Sequence, residues 1–248
     1  MNSLLSAQNK QDKYLITHED SLALENIIIE KYYIADSTDY YNTLKNALPV
    51  GSVTYRIFVD MKTDYKLQLV YGNKNHELFI ETTTSIFNDI EADAVTGFNV
   101  NTKYLNKGNI SLDSWITMGA ASRGYTGIPR NEDKDVISLI TNRESLKKAD
   151  GLIKALLPNF TVYNLNLKSF EYDTTASSFS TNDGGWAAPG GVKGPNADNK
   201  VLIAQITTNG KLSFKLNVQI GTPSGGYLKF VADKPEENEI QFDSLNFK

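Results

Sequence analysis

Cysteine is absent from this chain, and histidine occurs only twice, at His18 and His76. The first absence excludes disulfides, thiolate nucleophiles and cysteine-ligated metal clusters, while leaving the redox compartment undetermined. The second leaves few side chains whose ordinary pKa suits acid–base work near neutrality. His18 lies in a polar N-terminal stretch and His76 in the turn GNKNHE; neither has a second histidine or an orienting carboxylate beside it in sequence. Each therefore reads as a solvated or turn-capping histidine. No Gly-x-Ser-x-Gly elbow and no His-Glu-x-x-His occurs. Any of the 29 acidic residues could be paired on paper for glycoside hydrolysis, but such a pair has meaning only with geometry. The sequence thus points away from an enzyme, and it implies no cofactor and no metal.

Other shortages narrow the partners. Lys and Arg number 25 against 29 Asp and Glu, giving a net charge of −4, and the basic residues are scattered singly. Binding to a phosphate backbone needs a concentrated positive field, so nucleic acid is not expected. No run of about 18 apolar residues occurs, so no membrane span is expected. The start, MNSLLSAQNKQDKYLITHEDS, lacks the apolar core of a signal peptide. It predicts either synthesis in the cytoplasm or a mature form. Residues 1–21 are polar and aperiodic, and read as a flexible arm that orders against a neighbour.

What the chain does have is strand patterning. Val53, Tyr55, Ile57 and Val59 alternate with Thr54, Arg56, Phe58 and Asp60; Leu67, Leu69 and Tyr71 alternate with Gln68 and Val70. Period-two alternation in β-branched and aromatic residues marks half-buried strands. Leu22–Ala35 reads as a strand through Ile27–Ile29 and Tyr32-Tyr33, with a helix over Glu19–Glu30 as the competing reading. Strand logic recurs at Ile110–Met118, Asn159–Tyr172, Val201–Thr207, Lys211–Ile220 and Tyr227–Val231. In Lys211–Ile220, Leu212, Phe214, Leu216, Val218 and Ile220 face one way and Ser213, Lys215, Asn217 and Gln219 the other. Turn signals every ~8 to 12 residues predict an all-β fold, an antiparallel β-sandwich of immunoglobulin-like or jelly-roll-like type. One short helix is predicted over Arg143–Leu157, where Leu146, Ala149, Ile153 and Leu156 or Leu157 have helical spacing before Pro158. The domain is assigned to residues 22–248, and two sub-domains, if present, would divide near 130–158, where RNEDKD is the most linker-like charged run.

Two further segments carry candidate chemistry. Asn182–Asn199, NDGGWAAPGGVKGPNADN, has five glycines, two prolines and a tryptophan. It lacks the ending of a phosphate loop and the βαβ context of a dinucleotide fingerprint. It reads as a long surface connection in which Trp186 either tucks against the body or makes an interface contact. Asn88, Asp89, Glu91 and Asp93 offer hard oxygen ligands near Thr96 and Gly97, but their order does not match an EF-hand, so the segment reads as a solvated acidic loop.

The blocks IEKYY (Ile29–Tyr33), LPVGSVTYRIFVDM (Leu48–Met61), YGNKNHELFIETTTSIFND (Tyr71–Asp89), SLDSWITMGAAS (Ser111–Ser122) and VLIAQITTNGKLSFKLNVQIGT (Val201–Thr222) span most of the chain. Together they resemble a poorly characterised group of proteins from Bacteroidetes and their phages, with IEKYY where the group has VEKYY. The group is associated with secreted surface proteins and with virion proteins of crAss-like tailed phages. The resemblance implies a structural virion protein, an auxiliary or head-decoration protein, partnered by the major capsid protein or other virion proteins in repeated copies. A secreted cell-surface adhesin or carbohydrate-binding module, using Tyr125 or Trp186 against sugar faces, is the alternative. Expected localisation is the virion, after synthesis in the host cytoplasm, or the cell surface on the alternative. Contact residues expected for the virion protein are Tyr14 and Leu15 in the arm, Tyr40 and Tyr41 in the following loop, and Trp186.

Overall fold

A computed structural model describes residues 16–41, 47–172 and 175–248. Two short helices and seventeen strands follow in chain order. Helix α1 (His18–Ser21) leads into β1 (Leu24–Ile34), and α2 (Ser37–Tyr41) precedes β2 (Val53–Met61), β3 (Lys66–Gly72) and β4 (Leu78–Thr82). The middle of the chain has β5 (Trp115–Ile116), β6 (Ala120–Ser122), β7 (Tyr125–Gly127), β8 (Leu152–Lys154) and β9 (Thr161–Tyr163). After it come β10 (Ser178–Thr181), β11 (Gly184–Val192), β12 (Lys200–Thr208), β13 (Leu212–Lys215) and β14 (Val218–Gly221). The chain closes with β15 (Tyr227–Val231), β16 (Glu239–Gln241) and β17 (Asn246–Phe247). The all-β expectation holds.

A central sheet in the order β1-β2-β12-β5 has cores on both faces. On one face Ile57, Val59 and Met61 of β2 join Val201, Ile203 and Ile206 of β12 in the larger core. On the other, Phe58 and Leu202 join Tyr32, Trp115 and Leu152. A strand covered on both sides loses the apolar–polar alternation of a half-exposed one. That is why β12 reads VLIAQITT and is buried along nearly its whole length. The larger core is closed by two outer sheets, β16-β15-β14-β3-β11-β9 and β10-β4-β13-β17, giving a sandwich. The second core is closed by turns, 3-10 segments and the small sheet β6-β7-β8.

The structure corrects several expectations. Lys211–Ile220 is two strands in different sheets, β13 and β14, broken at Leu216 and Asn217. Asn217 is buried, and its Nδ2 donates to the carbonyls of Tyr71 and His76 at 3.1 and 3.3 Å. A side chain assigned to solvent by alternation thus cements the junction between sheets. The helix predicted over Arg143–Leu157 does not form. Arg143 turns inward to buried partners, Gly151 takes φ +64, and residues 152–154 pair in register with Tyr125–Gly127 as β8. Side chains that gain buried hydrogen bonds outweigh a weak helical pattern already carrying a glycine. Of Ile110–Met118 only Trp115–Ile116 is strand, and of Asn159–Tyr172 only Thr161–Tyr163.

The glycine-rich segment is also not a loop over its first half. Its strand β11 lies between β3 and β9, with Gly185 opposite Tyr71 and Tyr163. A β-carbon on Gly185 would fall 2.5 Å from the Val70 carbonyl oxygen, and one on Gly184 would fall 2.5 Å from that of Asn164. Glycine here answers close strand approach rather than flexibility. At the N-terminal end, the described part of the expected arm is ordered. Thr17 and Asp20 form a capping box on α1, and Asp20 is buried.

Candidate functional site

Of the expected contact residues, Trp186 is corrected: it is fully buried between sheets, and its Nε1–H donates to the Thr117 carbonyl at 2.9 Å. Its ring stacks obliquely on Phe179 in the larger core. Its work is packing, in keeping with an aromatic whose polar handle finds a partner inside. Tyr14 and Leu15 lie outside the described residues. Tyr40 and Tyr41 end α2, and their side chains lie outside the described part.

The most exposed large apolar side chains among the described residues lie elsewhere. Val136 and Ile137 are 91% and 71% exposed, and Leu156 is 100% exposed. Most large apolar side chains that a protein leaves in water are isolated and partly covered. These three occupy two loops bordering the small sheet β6-β7-β8. The first loop is fixed by a relay of carboxylates accepting from backbone. Asp133 Oδ2 accepts from Gly151 N at 2.8 Å and Oδ1 from Asp135 N at 2.9 Å, while Asp135 Oδ1 accepts from Ile137 N at 3.0 Å. Asp150 closes the relay, taking Ser138 Oγ at 2.9 Å and the Leu139 and Leu152 amides. Leu156 follows β8 directly, beyond the bond from Ala155 N to Gly124 O. Beside these loops is an open cleft of about 570 Å³ lined by Glu132, Asp133, Asp135 and Asp198 among others, with Lys134 the basic member of its lining.

Behind the loops, cationic side chains anchor them to the central sheet. Arg130, in the run read as linker-like, donates to the Tyr32 and Ala149 carbonyls and to that of Ser145, while its amide donates to Glu30. Buried Arg56 donates through Nε to Gln205 at 2.9 Å and through Nη1 to the Gly151 carbonyl at 3.2 Å. Tyr32 Oη donates to the Asp150 carbonyl at 2.8 Å. Burial pushes the carboxyls of Glu30 and Asp150 up, against the pull of Arg56 and Arg130 on Glu30 and of the hydrogen bonds to Leu139 and Ser138 on Asp150. A second anchor uses Arg143, whose Nη2 donates to Asn109 Oδ1 at 2.7 Å and to the Gly108 carbonyl. Its Nε lies 3.2 Å from Asp39 Oδ1, an ion pair set off the hydrogen-bond angle.

In the acidic segment Asn88–Asp93, Glu91 and Asp93 are exposed as expected, while Asn88 and Asp89 are buried and correct the solvated reading. Asp89 is buried and accepts from the amides of Glu91, Ala92 and Asn109, while Asp113 Oδ1 accepts from Asp89 N at 2.7 Å. Carboxylates committed to backbone amides organise the turn rather than wait in solvent. Burial raises Asp89 and raises Asp113 well above the usual carboxylate range. His76, read as solvated or turn-capping, is buried, and its Nε2 meets Glu239 Oε2 at 2.6 Å across 163 residues of sequence. No sequence signal links those two.

The loop residues Val136 and Ile137 were also missed. The only trace of them in sequence is an apolar pair directly after a charged run, a pattern that equally begins a strand. No helix among the described residues is long and apolar enough to cross a membrane. Comparison with protein-family models, with curated proteins and with solved structures finds no match to this chain.

Proposed function

We propose that this chain is a structural virion protein, an auxiliary protein decorating the capsid of a tailed phage, and that it acts through protein–protein contacts. The observation that carries the proposal is the outward display of Val136, Ile137 and Leu156, the first two on a loop whose backbone is bonded to Asp133 and Asp135. Apolar side chains held outward by a fixed backbone lose little conformational entropy on docking. A contact of about 800 Å² per partner, repeated at equivalent capsid sites, gains further through multivalency. On this reading the chemistry is association, the acidic cleft beside the loops sets which basic face the partner turns toward them, and the buried arginines serve stiffness.

The test is attachment of purified protein to heads lacking it. Replacing Val136, Ile137 and Leu156 together by serine is expected to reduce attachment at least tenfold while leaving the melting temperature unchanged. Equal attachment by the triple variant contradicts the proposal. Binding to a glycan array instead of heads would favour the adhesin reading, for which Tyr125 on β7 is the partly exposed aromatic.

A further inference from the structure

We infer that His76, Glu236 and Glu239 form a binding site for one divalent transition-metal ion, with zinc the best match to the donors. One ligand atom from each lies within 4.8 Å of the others. His76 comes from the turn after β3, Glu236 from the turn before β16 and Glu239 from the first position of β16, so the fold, not the local sequence, assembles them.

Three observations support the assignment. The first is organisation. Glu239 Oε2 also accepts from Glu236 N at 2.9 Å, and Glu236 Oε1 accepts from Asn75 Nδ2 at 2.6 Å. The His76 amide is fixed by Asn73 Oδ1 at 2.8 Å. These bonds hold both carboxylates and the His76 backbone, and the His76 ring is oriented by Glu239 alone. The second is burial without satisfaction. The side chains of His76 and Glu239 are 1% and 5% exposed, and the buried hydroxyl of Tyr71, at the end of β3, has no hydrogen-bond partner. Buried polar atoms left unpaired are costly, and an ion carrying water supplies charge and hydrogen-bonding groups to such a pocket. Tyr71 lies beside it, its carbonyl and that of His76 both accepting from Asn217 Nδ2 at 3.1 and 3.3 Å. The third is donor type. One imidazole and two carboxylates suit zinc, which accepts nitrogen and oxygen at about 2.0–2.2 Å, whereas calcium and magnesium prefer oxygen alone.

The geometry also states what binding must change. At 2.6 Å, Nε2 and Oε2 share a hydrogen. An ion held by both atoms takes the place of that hydrogen, which leaves to solvent as a proton, and the two atoms spread to about 3.3 Å, the separation of neighbouring ligands on a tetrahedral ion with bonds near 2 Å. Exposed Glu236 gives access from solvent. The bound ion would clamp β16, the parallel edge strand of its sheet, onto the β3–β4 turn.

The test is titration of the chelator-stripped full-length chain with zinc chloride, followed by calorimetry. The expected result is one zinc per chain with a Kd of about 1 µM or tighter, at least tenfold weaker in Glu236→Gln and in His76→Gln. Glu236→Gln is the decisive variant, because the site is exposed there and the amide oxygen retains the Asn75 bond. X-ray absorption should report a single imidazole among oxygen ligands. No zinc binding by the folded wild type, undiminished binding by Glu236→Gln, or preference for calcium over zinc would overturn the assignment.

Discussion

The guanidinium carbon of Arg56 sits 3.5 Å from the centroid of the Tyr32 ring, both residues buried, and the same tyrosine donates to the Asp150 carbonyl at 2.8 Å. One stack therefore couples the middle of the central sheet to the residue that holds the 133–139 loop in shape. The cation is offset by the ring face, by Gln205 and by the Gly151 carbonyl, with Glu30 opposite it across β1–β2 as the neighbouring carboxyl.

Arg56→Met tests that coupling. It removes the donor to Gln205 and to two carbonyls, leaving buried acceptors unpaired, and is expected to cost about 3 kcal/mol. Urea denaturation measures it. A loss under about 1 kcal/mol would mean that the stack is peripheral to stability.

Gly185→Ala tests the close approach of three strands. Its new β-carbon would meet the Val70 carbonyl at 2.5 Å and the Tyr163 hydroxyl at 2.9 Å. Backbone on one side cannot move without unzipping β3 from β11, so a cost of about 1–3 kcal/mol or more is expected. A neutral alanine here, by thermal unfolding, would show that the strands yield.

Stability should rise as the medium is made mildly acidic. Burial raises the carboxyls of Glu30, Asp89, Asp113 and Asp150 in the folded chain, Asp113 most clearly. A group raised on folding contributes stability that is fully present below its unfolded pKa of about 4 and is lost as pH climbs through the folded value. The lowered groups, Glu19, Asp36 and Asp64, act in the opposite sense, but they are exposed and screened. The melting temperature is therefore expected to increase from pH 8 toward pH 5, and Asp113→Asn, which keeps an acceptor for Asp89 N, should flatten that slope. A maximum above neutrality would contradict this assignment.

Strands were legible where β-branched and aromatic residues run between turn signals. The segments from Val53 and from Lys66 match β2 and β3 in extent, but the half-buried reading of the first fails, because Thr54, Arg56 and Phe58 are buried on the face opposite Ile57 and Val59. Legibility failed where long-range partners decide. Asn217 looks like a solvent-facing residue until Tyr71 and His76 offer carbonyls, and Arg143 looks helical until Asn109 and Asp39 surround it. The glycines of Gly184–Val192 carry two meanings in sequence, a mobile loop or a tight strand, and only the neighbours β3 and β9 select the second. Trp186 stood in sequence between an inward tuck and an interface contact, and only the packing of β11 selects the first. Residues of the candidate contact surface were not, since exposure is a property of what fails to cover a side chain.

The most direct measurement is the copy number of this chain in purified virions, with heads and tails separated and the major capsid protein as the reference. Decoration predicts many copies in the head fraction, in fixed proportion to the capsid protein. Absence from the heads would contradict it.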